Sequence, residues 1–414
     1  MNFIRLSKNV IIYGLSNGLQ SLVPFIMLPI LTSYISAEGY GLLSLIDTSI
    51  LFLAPFVLLN IDSGIAVEFY KIDKKELSIY ITNGIFISIT SFVIILILFI
   101  TLNNVISDLF SIPITLVLFL PFFVILRLIP AIVLVLYQAQ QEATKYLSFN
   151  ALQTVSDFTF STIFVMCFKY GYLGRLGGIY FALFLFSILG IIILFKRGYI
   201  DFTISKQKIN EILKFGIPLI PHVIGGTTII MSGRYFISLF KGNESVGLYA
   251  AAYQMAAIVL LFSRSVNQAW SPMLFNLLKY RDFKSAFRIT IMLGLLFILI
   301  GLIVYLSSGF LFNILLDKSY HESREYFPFL LLGILFQSIY FLFTNFYFYL
   351  KKTVLLAIIT FSGAMINLIL NYFFIKSFGV TGIAYSSAIT WFLFLLCIFL
   401  VFKFKIYYYV FETN

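Results

Sequence analysis

Three arginines, Arg127, Arg234 and Arg264, stand inside stretches that are otherwise apolar. An arginine at the centre of a membrane helix costs about 2.5 to 3.5 kcal/mol on insertion scales, so each calls for a partner or a function. A guanidinium stays protonated when buried and presents a planar fork of donors that matches phosphate or carboxylate oxygens. Together the three can act as cationic stations for an anionic group crossing a membrane, and a diphosphate suits that chemistry. Two aspartates, Asp47 and Asp157, lie in similar surroundings. Burial raises a carboxylate's proton affinity, which makes both candidates to bind and release a proton or sodium ion in a coupled cycle. Arg127 and Asp157 fall on consecutive apolar segments, so mutual neutralisation is the competing reading. His222 adds a group that titrates near neutral pH, serving either as a substrate contact or as a hydrogen bond between helices. Asp62 follows Asp47 by 15 residues, close to four helical turns, which places the two carboxylates on one side of a continuous helix.

No nucleophile is spaced with a base, no histidines are paired at metal-binding intervals, and no glycine-rich phosphate loop is present. The cysteines, Cys167 and Cys397, are far apart in apolar stretches and suggest no disulfide framework. The expectation is a carrier with no cofactor or metal, not an enzyme.

The elements that must position these groups are membrane helices. Of 414 residues, 61% are hydrophobic and 11% charged, with a mean hydropathy of +1.02, far too apolar for a soluble core. A hydrocarbon layer of roughly 30 Å takes about 20 helical residues. Twelve segments meet that length: 10–35, 40–66, 79–102, 113–137, 147–169, 177–195, 212–237, 246–272, 288–312, 328–349, 353–374 and 381–402. With the N-terminus in the cytoplasm, the inner links carry 19 Lys and Arg residues and the outer links 6. That asymmetry places both termini inside. It also accounts for the net charge of +11 as a topology signal that meets anionic lipid and not as nucleic-acid binding. Residues 1–9 lead into a retained first span, without a small-residue cleavage site.

The basic link around Lys196 to Lys214 divides the chain into six-span lobes, 1–205 and 206–414. A weak repeat supports the division. Glu38-Gly39-Tyr40-Gly41-Leu42 opens span two and Glu244-Ser245-Val246-Gly247-Leu248 opens span eight, while Gly178-Ile179 recurs as Gly382-Ile383 at the starts of spans six and twelve. Six spans per half imply a pseudo-twofold axis along the membrane normal and a cavity between halves. Spans one and seven are both broken by proline and glycine, through Gly14, Gly18, Pro24 and Pro29 in one and Pro218, Pro221, Gly225 and Gly226 in the other. Paired interruptions mark a substrate cavity and bending helices. In span one, Gly14, Asn17, Gly18 and Ser21 form a small, polar stripe suited to protein or water contact or to close helix packing. In span eight, Tyr253, Ala257, Leu260, Arg264, Asn267 and Ser271 share a face that makes a candidate cavity wall.

In this order of elements the chain resembles the polysaccharide flippases of the multidrug/oligosaccharidyl-lipid/polysaccharide exporter superfamily, in particular the O-antigen type called Wzx. The residues that carry the resemblance are Gly14 and Pro24 in span one, Glu38 to Leu42, Gln138-Ala-Gln-Gln-Glu142 with Lys145, and Gly379-Val380-Thr381-Gly382-Ile383-Ala384. The resemblance implies a MATE-like all-α fold of two six-helix lobes around a cationic cavity. It also implies alternating access and transfer of an undecaprenyl-diphosphate-linked oligosaccharide to the outer leaflet of a bacterial inner membrane, for O-antigen, capsule or other surface polysaccharide. Membrane lipid, a polysaccharide polymerase and a chain-length regulator are its expected partners. By that analogy Arg127, Arg234 and Arg264 attract the diphosphate or acidic sugars. A MATE-like antiporter of drugs or anionic metabolites, coupled through Asp47 or Asp157, stays open. The O-antigen polymerase fits less well, because that family carries a large external loop and the link from Asn313 to Phe327 is short.

Overall fold

The computed structural model describes residues 3–350 and 353–401; within them, the side chains of residues 3–11, 13–15, 17, 222, 226, 230, 353, 354 and 357 lie outside the description. His222 and the Gly14 and Asn17 part of the span-one stripe therefore fall outside the described side chains. All described regular structure is helical. In chain order the helices are α1 (Phe3–Tyr34), α2 (Ala37–Leu58), α3 (Ile61–Glu68), α4 (Lys74–Thr101), α5 (Asn103–Phe110), α6 (Ile114–Val117), α7 (Leu120–Ile125), α8 (Leu128–Ala139) and α9 (Ala143–Thr162), the last ending in a π turn over Ile163–Cys167. There follow α10 (Gly171–Lys196), α11 (Lys206–Lys241), α12 (Asn243–Lys279), α13 (Phe283–Leu306) and α14 (Ser308–Leu315). A 3-10 helix (Lys318–Glu325), α15 (Phe327–Tyr349) and α16 (Thr353–Val401) complete the chain.

Among the described residues nine stretches are long and apolar enough to cross a bilayer, one of them spanning Ile358–Val401, and Gly18–Tyr34 is a shorter apolar helix. α16 is bent at Gly379, whose φ of 64° breaks the helix into two arms that coincide with the last two expected spans. The Gly379 to Ala384 motif thus has a local cause. Gly379 supplies a left-handed turn, and a Cβ on Gly382 would collide with the Phe374 carbonyl. Exposed apolar bands mark the outward faces: Ile94, Ile97 and Ile100 on α4, and Leu295, Leu299 and Leu302 on α13. Patches of that kind are excluded from water-facing surfaces and match lipid.

Several expected boundaries move. Span two is not one helix, because Leu59 and Asn60 both take left-handed φ, 51° and 52°. Asn60 Nδ2 donates to the Gly216 carbonyl at 3.2 Å, which pins the break to α11. Asp47 on α2 and Asp62 in the first turn of α3 accordingly lie on separate helices, and the four-turn spacing does not align them. Span four is divided into α6, α7 and α8, with Arg127 at the α7–α8 junction, where its N–H bonds Val124 O in a tightened turn. The end of span nine leaves α13 after Leu306 and continues as the separate α14.

The chain forms two compact units: residues 1–35 with 42–227, and residues 36–41 with 228–414. The division cuts α11 after Thr227 and not the basic link at 205/206. Its physical reason is packing: Ile212 is buried in the core of the first unit, beside Ile61, Tyr80, Leu136 and Phe149, and Ile209, Leu213 and Ile220 pack on that core. Residues 36–41 join the second unit because Gly41 backs directly on Asn243 and Gly247. A Cβ on Gly41 would strike Asn243 O, and one on Gly247 would strike Ala37 O. The repeated glycines of the two Glu-x-x-Gly-Leu segments are therefore one backbone crossing seen from both sides.

The Gln138–Glu142 motif ties together the ends of three helices in the first unit. Glu142 pairs with Lys145 and with Arg197, each at 2.7 Å. Gln140 accepts from Arg197 at 2.6 Å and donates to the Tyr199 hydroxyl at 2.5 Å, and the Arg197 guanidinium lies 4.7 Å from the Tyr137 ring centroid. Partial burial works against ionisation of Glu142, but the hydrogen bonds from Lys145 and Arg197 outweigh it and hold the carboxyl below its usual range.

Candidate functional site

Five segments of the first unit converge on a cavity of about 410 Å³. α1 contributes Gln20, Val23 and Pro24, α2 contributes Asp47, and the α7–α8 junction contributes Arg127 with Pro130, Ala131 and Leu134. α9 adds Gln153, Thr154 and Asp157; α10 adds Arg175, Ile179, Ala182 and Leu183. The local sequence explains how these walls close. Pro24 and Pro29 each remove an N–H from the α1 ladder, which weakens the helix where it lines the cavity. Asn150 Nδ2 on α9 donates to Ser16 Oγ of α1 at 2.9 Å. α9 and α10 approach closely because α10 begins with glycines: a Cβ on Gly174 would stand 2.8 Å from Phe164 O, and one on Gly178 would overlap the Ser161 backbone.

That approach creates the charged centre of the cavity. Arg175 Nη1 donates to Asp157 Oδ1 at 2.5 Å and to Ser161 Oγ at 2.6 Å. Ser161 Oγ in turn donates to Asp157 Oδ1 at 3.0 Å. Arg175 is 12% and Asp157 24% exposed, so the pair is largely withdrawn from surroundings yet borders open space. Asp157 thus has Arg175 as its ion partner, and not Arg127, the partner that the competing reading of the sequence offers. By the expected spans Arg175 falls in the outer link between 169 and 177; the structure puts it in the first turns of α10, facing inward. The signal that marks it is Gly174-Arg175-Leu176-Gly177-Gly178, a cationic residue framed by the small residues that let two helices touch.

Arg127 lines the same cavity, with its Nε buried and without an acceptor. Gln153 Oε1 is likewise buried without a partner. The Tyr180 ring is held by stacking on Phe123, centroids 3.7 Å apart. Asp47 is exposed on the cavity wall and engaged in polar contact. The cavity's charged side chains are two guanidiniums and two carboxylates, so its lining is mixed in charge and not uniformly positive.

Arg234 and Arg264 belong to the second unit. Arg234 packs its guanidinium 5.3 Å from the Tyr253 ring centroid, with a buried Nε that lacks an acceptor; such stacking leaves the planar fork free for an anion. Arg264 is exposed on α12. On the same face Asn267 accepts from Asn345 at 2.7 Å, so that part of the expected wall is used for packing against α15. Deeper in this unit, Ser232, Asn367, Asn371, Ser386 and Thr390 close a buried hydrogen-bond network between α11 and both arms of α16, with bonds of 2.8 to 3.4 Å. Its donors and acceptors are met by one another, which reads as helix adhesion and not as a ligand site. Gly18 has open space where a Cβ would stand, so close packing does not explain that member of the span-one stripe. Among the described residues no group of three His, Cys, Asp or Glu side chains is placed to hold a metal ion.

Comparison with known proteins agrees with this architecture. The family model described as polysaccharide biosynthesis protein matches residues 6–278, and the MatE model matches residues 218–373. Two Haemophilus influenzae proteins are similar to the chain: an uncharacterized membrane protein, 24% identical over 68% of each chain, and a protein of the Lsg locus, 23% identical over 86% of this chain and 87% of that one. Among solved structures, an inward-facing multidrug resistance MATE family transporter of the MOP superfamily superposes with a TM-score of 0.77 at 14% identity, covering 99% of both chains. The lipid II flippase MurJ in an inward closed conformation superposes with a TM-score of 0.73 at 16% identity, covering 95% of this chain and 87% of its own. The fold is thus the expected all-α, MATE-like, multi-pass membrane fold.

Proposed function

The chain belongs to the polysaccharide biosynthesis protein family, and from that footing we propose that it is a flippase for an undecaprenyl-diphosphate-linked oligosaccharide, moving it from the cytoplasmic to the outer leaflet of a bacterial inner membrane with both termini inside. The observation that carries this reading is the set of guanidiniums within apolar helices, Arg127 and Arg175 on the first-unit cavity and Arg234 and Arg264 in the second unit. Guanidiniums in apolar surroundings suit a diphosphate or acidic sugars, and Arg127 and Arg234 each keep a buried Nε without an acceptor. The family membership and the likeness to a lipid II flippase support a lipid-linked cargo. The oligosaccharide of an O-antigen, capsule or other surface polymer is the cargo we assign, handed on to a polymerase and chain-length regulator. Asp47 and Asp157 are the groups through which a proton or sodium ion would drive the cycle, and His222 is the further substrate contact we assign on α11.

A reconstituted-liposome assay tests this. The rate at which a labelled undecaprenyl-diphosphate oligosaccharide becomes accessible on the opposite leaflet is compared for wild type and for the Arg127→Ala, Arg234→Ala, Arg264→Ala triple variant. Loss of flipping in a variant that still inserts and elutes as a folded protein supports the reading, and normal flipping by the triple variant refutes the role of the arginines. A second reading, antiport of an anionic metabolite, draws on the MatE match over residues 218–373. It takes first place if wild type flips none of several lipid-linked oligosaccharides.

A further inference from the structure

The Arg175–Asp157 pair has features that a purely structural ion pair does not need. It borders a cavity of about 410 Å³, within the range of small-molecule sites of about 300 to 1,000 Å³ and large enough for a charged headgroup. Only one guanidinium nitrogen, Nη1, is engaged by Asp157 and Ser161, although an arginine carries five N–H donors in a fork made for bidentate capture. Ser161 bonds both partners at once, so Asp157 keeps a donor when the arginine turns away. Nearby, Arg127 Nε is buried without an acceptor.

We propose that Asp157 is the resident counterion of Arg175 and that the anionic group of the cargo displaces it, so that the cavity is loaded by exchanging one anion for another between Arg175 and Arg127. The proposal rests on the reading of the protein as a carrier of an anionic lipid-linked sugar. It names this cavity as the subsite for the diphosphate or acidic group, with the sugars outside it. Exchange solves an electrostatic difficulty: two charges already withdrawn from water are expensive to separate unless a new partner arrives as the old one leaves. The charged and amide side chains that line the cavity together with Asp157 are Arg175 on α10, Arg127 before α8, Asp47 on α2, Gln20 on α1 and, one turn earlier on α9, Gln153. In the resting arrangement Asp47 and Asp157 repel an incoming anion, which makes displacement and not simple addition the loading step.

Equilibrium binding of radiolabelled geranyl diphosphate to the detergent-purified full chain tests this. Removing the competitor with Asp157→Asn is expected to tighten binding tenfold or more, and adding Arg175→Gln to that variant is expected to erase the gain. Arg175→Lys keeps the pair and the fold but loses the planar fork, and should weaken binding several-fold. In the flipping assay Asp157→Asn should lower the half-saturating substrate concentration while slowing turnover, a split that a merely structural role would not produce. Unchanged or weaker binding by folded Asp157→Asn overturns the exchange; so does wild-type-like binding by Arg175→Lys if the asparagine variant fails to fold. When wild type flips its lipid-linked substrate but these binding results fail, only the exchange falls. When wild type neither binds the probe nor flips, the flippase reading falls with it.

Discussion

Gly178→Ala should dismantle the charged centre of the cavity without touching a charge. A Cβ at Gly178 would stand inside contact distance of Ser161 N, Cα and Oγ, whereas carbon atoms settle at about 3.5 to 4.0 Å. α9 and α10 must then part by about 1 Å. Arg175 lies three residues before Gly178 and Asp157 four before Ser161, so both members of the pair share the displaced interface. A contact of 2.5 Å lengthened by that amount is no longer a good hydrogen bond. Overpacking costs about 1 to 3 kcal/mol, and the lost bond to a charged group adds about 1.5 to 3 kcal/mol. Taking roughly 2 to 4 °C per kcal/mol, as for a unit of some 200 residues, the apparent Tm should fall by about 10 °C. The assay is the fraction of protein surviving a fixed heating schedule in detergent, read by size exclusion, since such unfolding is irreversible. Gly18→Ala, where a Cβ meets open space, is the control and should hold or raise the Tm by its gain in helix propensity. A Gly178→Ala variant within 2 °C of wild type would refute the argument that the glycine sets the pair.

Two further predictions concern the second unit and the inner motif. Asn367→Leu should lower the stability of the second unit by about 2 kcal/mol, because Ser232, Asn371 and Thr390 each lose a partner and interhelical bonds in membranes contribute about 0.6 to 2 kcal/mol each; an unchanged Tm would show that the network is dispensable. Glu142 is held ionised by Lys145 and Arg197, a lowered folded-state pKa, so its stabilisation is present above the ordinary carboxylate range near 4.3 and is lost as pH falls through the lower folded value. Heat resistance of wild type should be level from pH 8 to pH 5 and decline below it. Glu142→Gln should be less stable on the plateau and show a shallower acid decline, and an equally steep decline in both would assign the effect to other groups.

The membrane helices were legible because insertion depends on summed hydropathy over about 20 residues, a quantity that composition alone supplies. Arg127, Asp157 and Asp47 were legible for the same reason, as charges in apolar surroundings, and the structure brings all three to one cavity. Arg175 was not, because a cation near the end of a span has the pattern of a topology-setting charge until the glycines beside it are read as a helix contact. The break at Leu59 and Asn60 was hidden too: neither residue is Gly or Pro, and the acceptor that fixes it, Gly216 O, lies 156 residues away. The assignment of residues 36–41 and 206–227 to their units turned on packing partners of the same long-range kind, which hydropathy does not encode.

The crossing of Gly41 with Gly247 sets an unusual rule for how this protein can vary. At most contacts one partner can grow as the other shrinks, and that trade leaves a trace in the joint variation of the two positions. Here the space each missing side chain would need is filled by the other helix's main chain, around Asn243 and Ala37, and main chain cannot shrink. No second change repairs the first. The two positions are therefore bound together by joint silence: main chain packed on main chain, yet a contact that methods inferring proximity from paired substitutions would not detect.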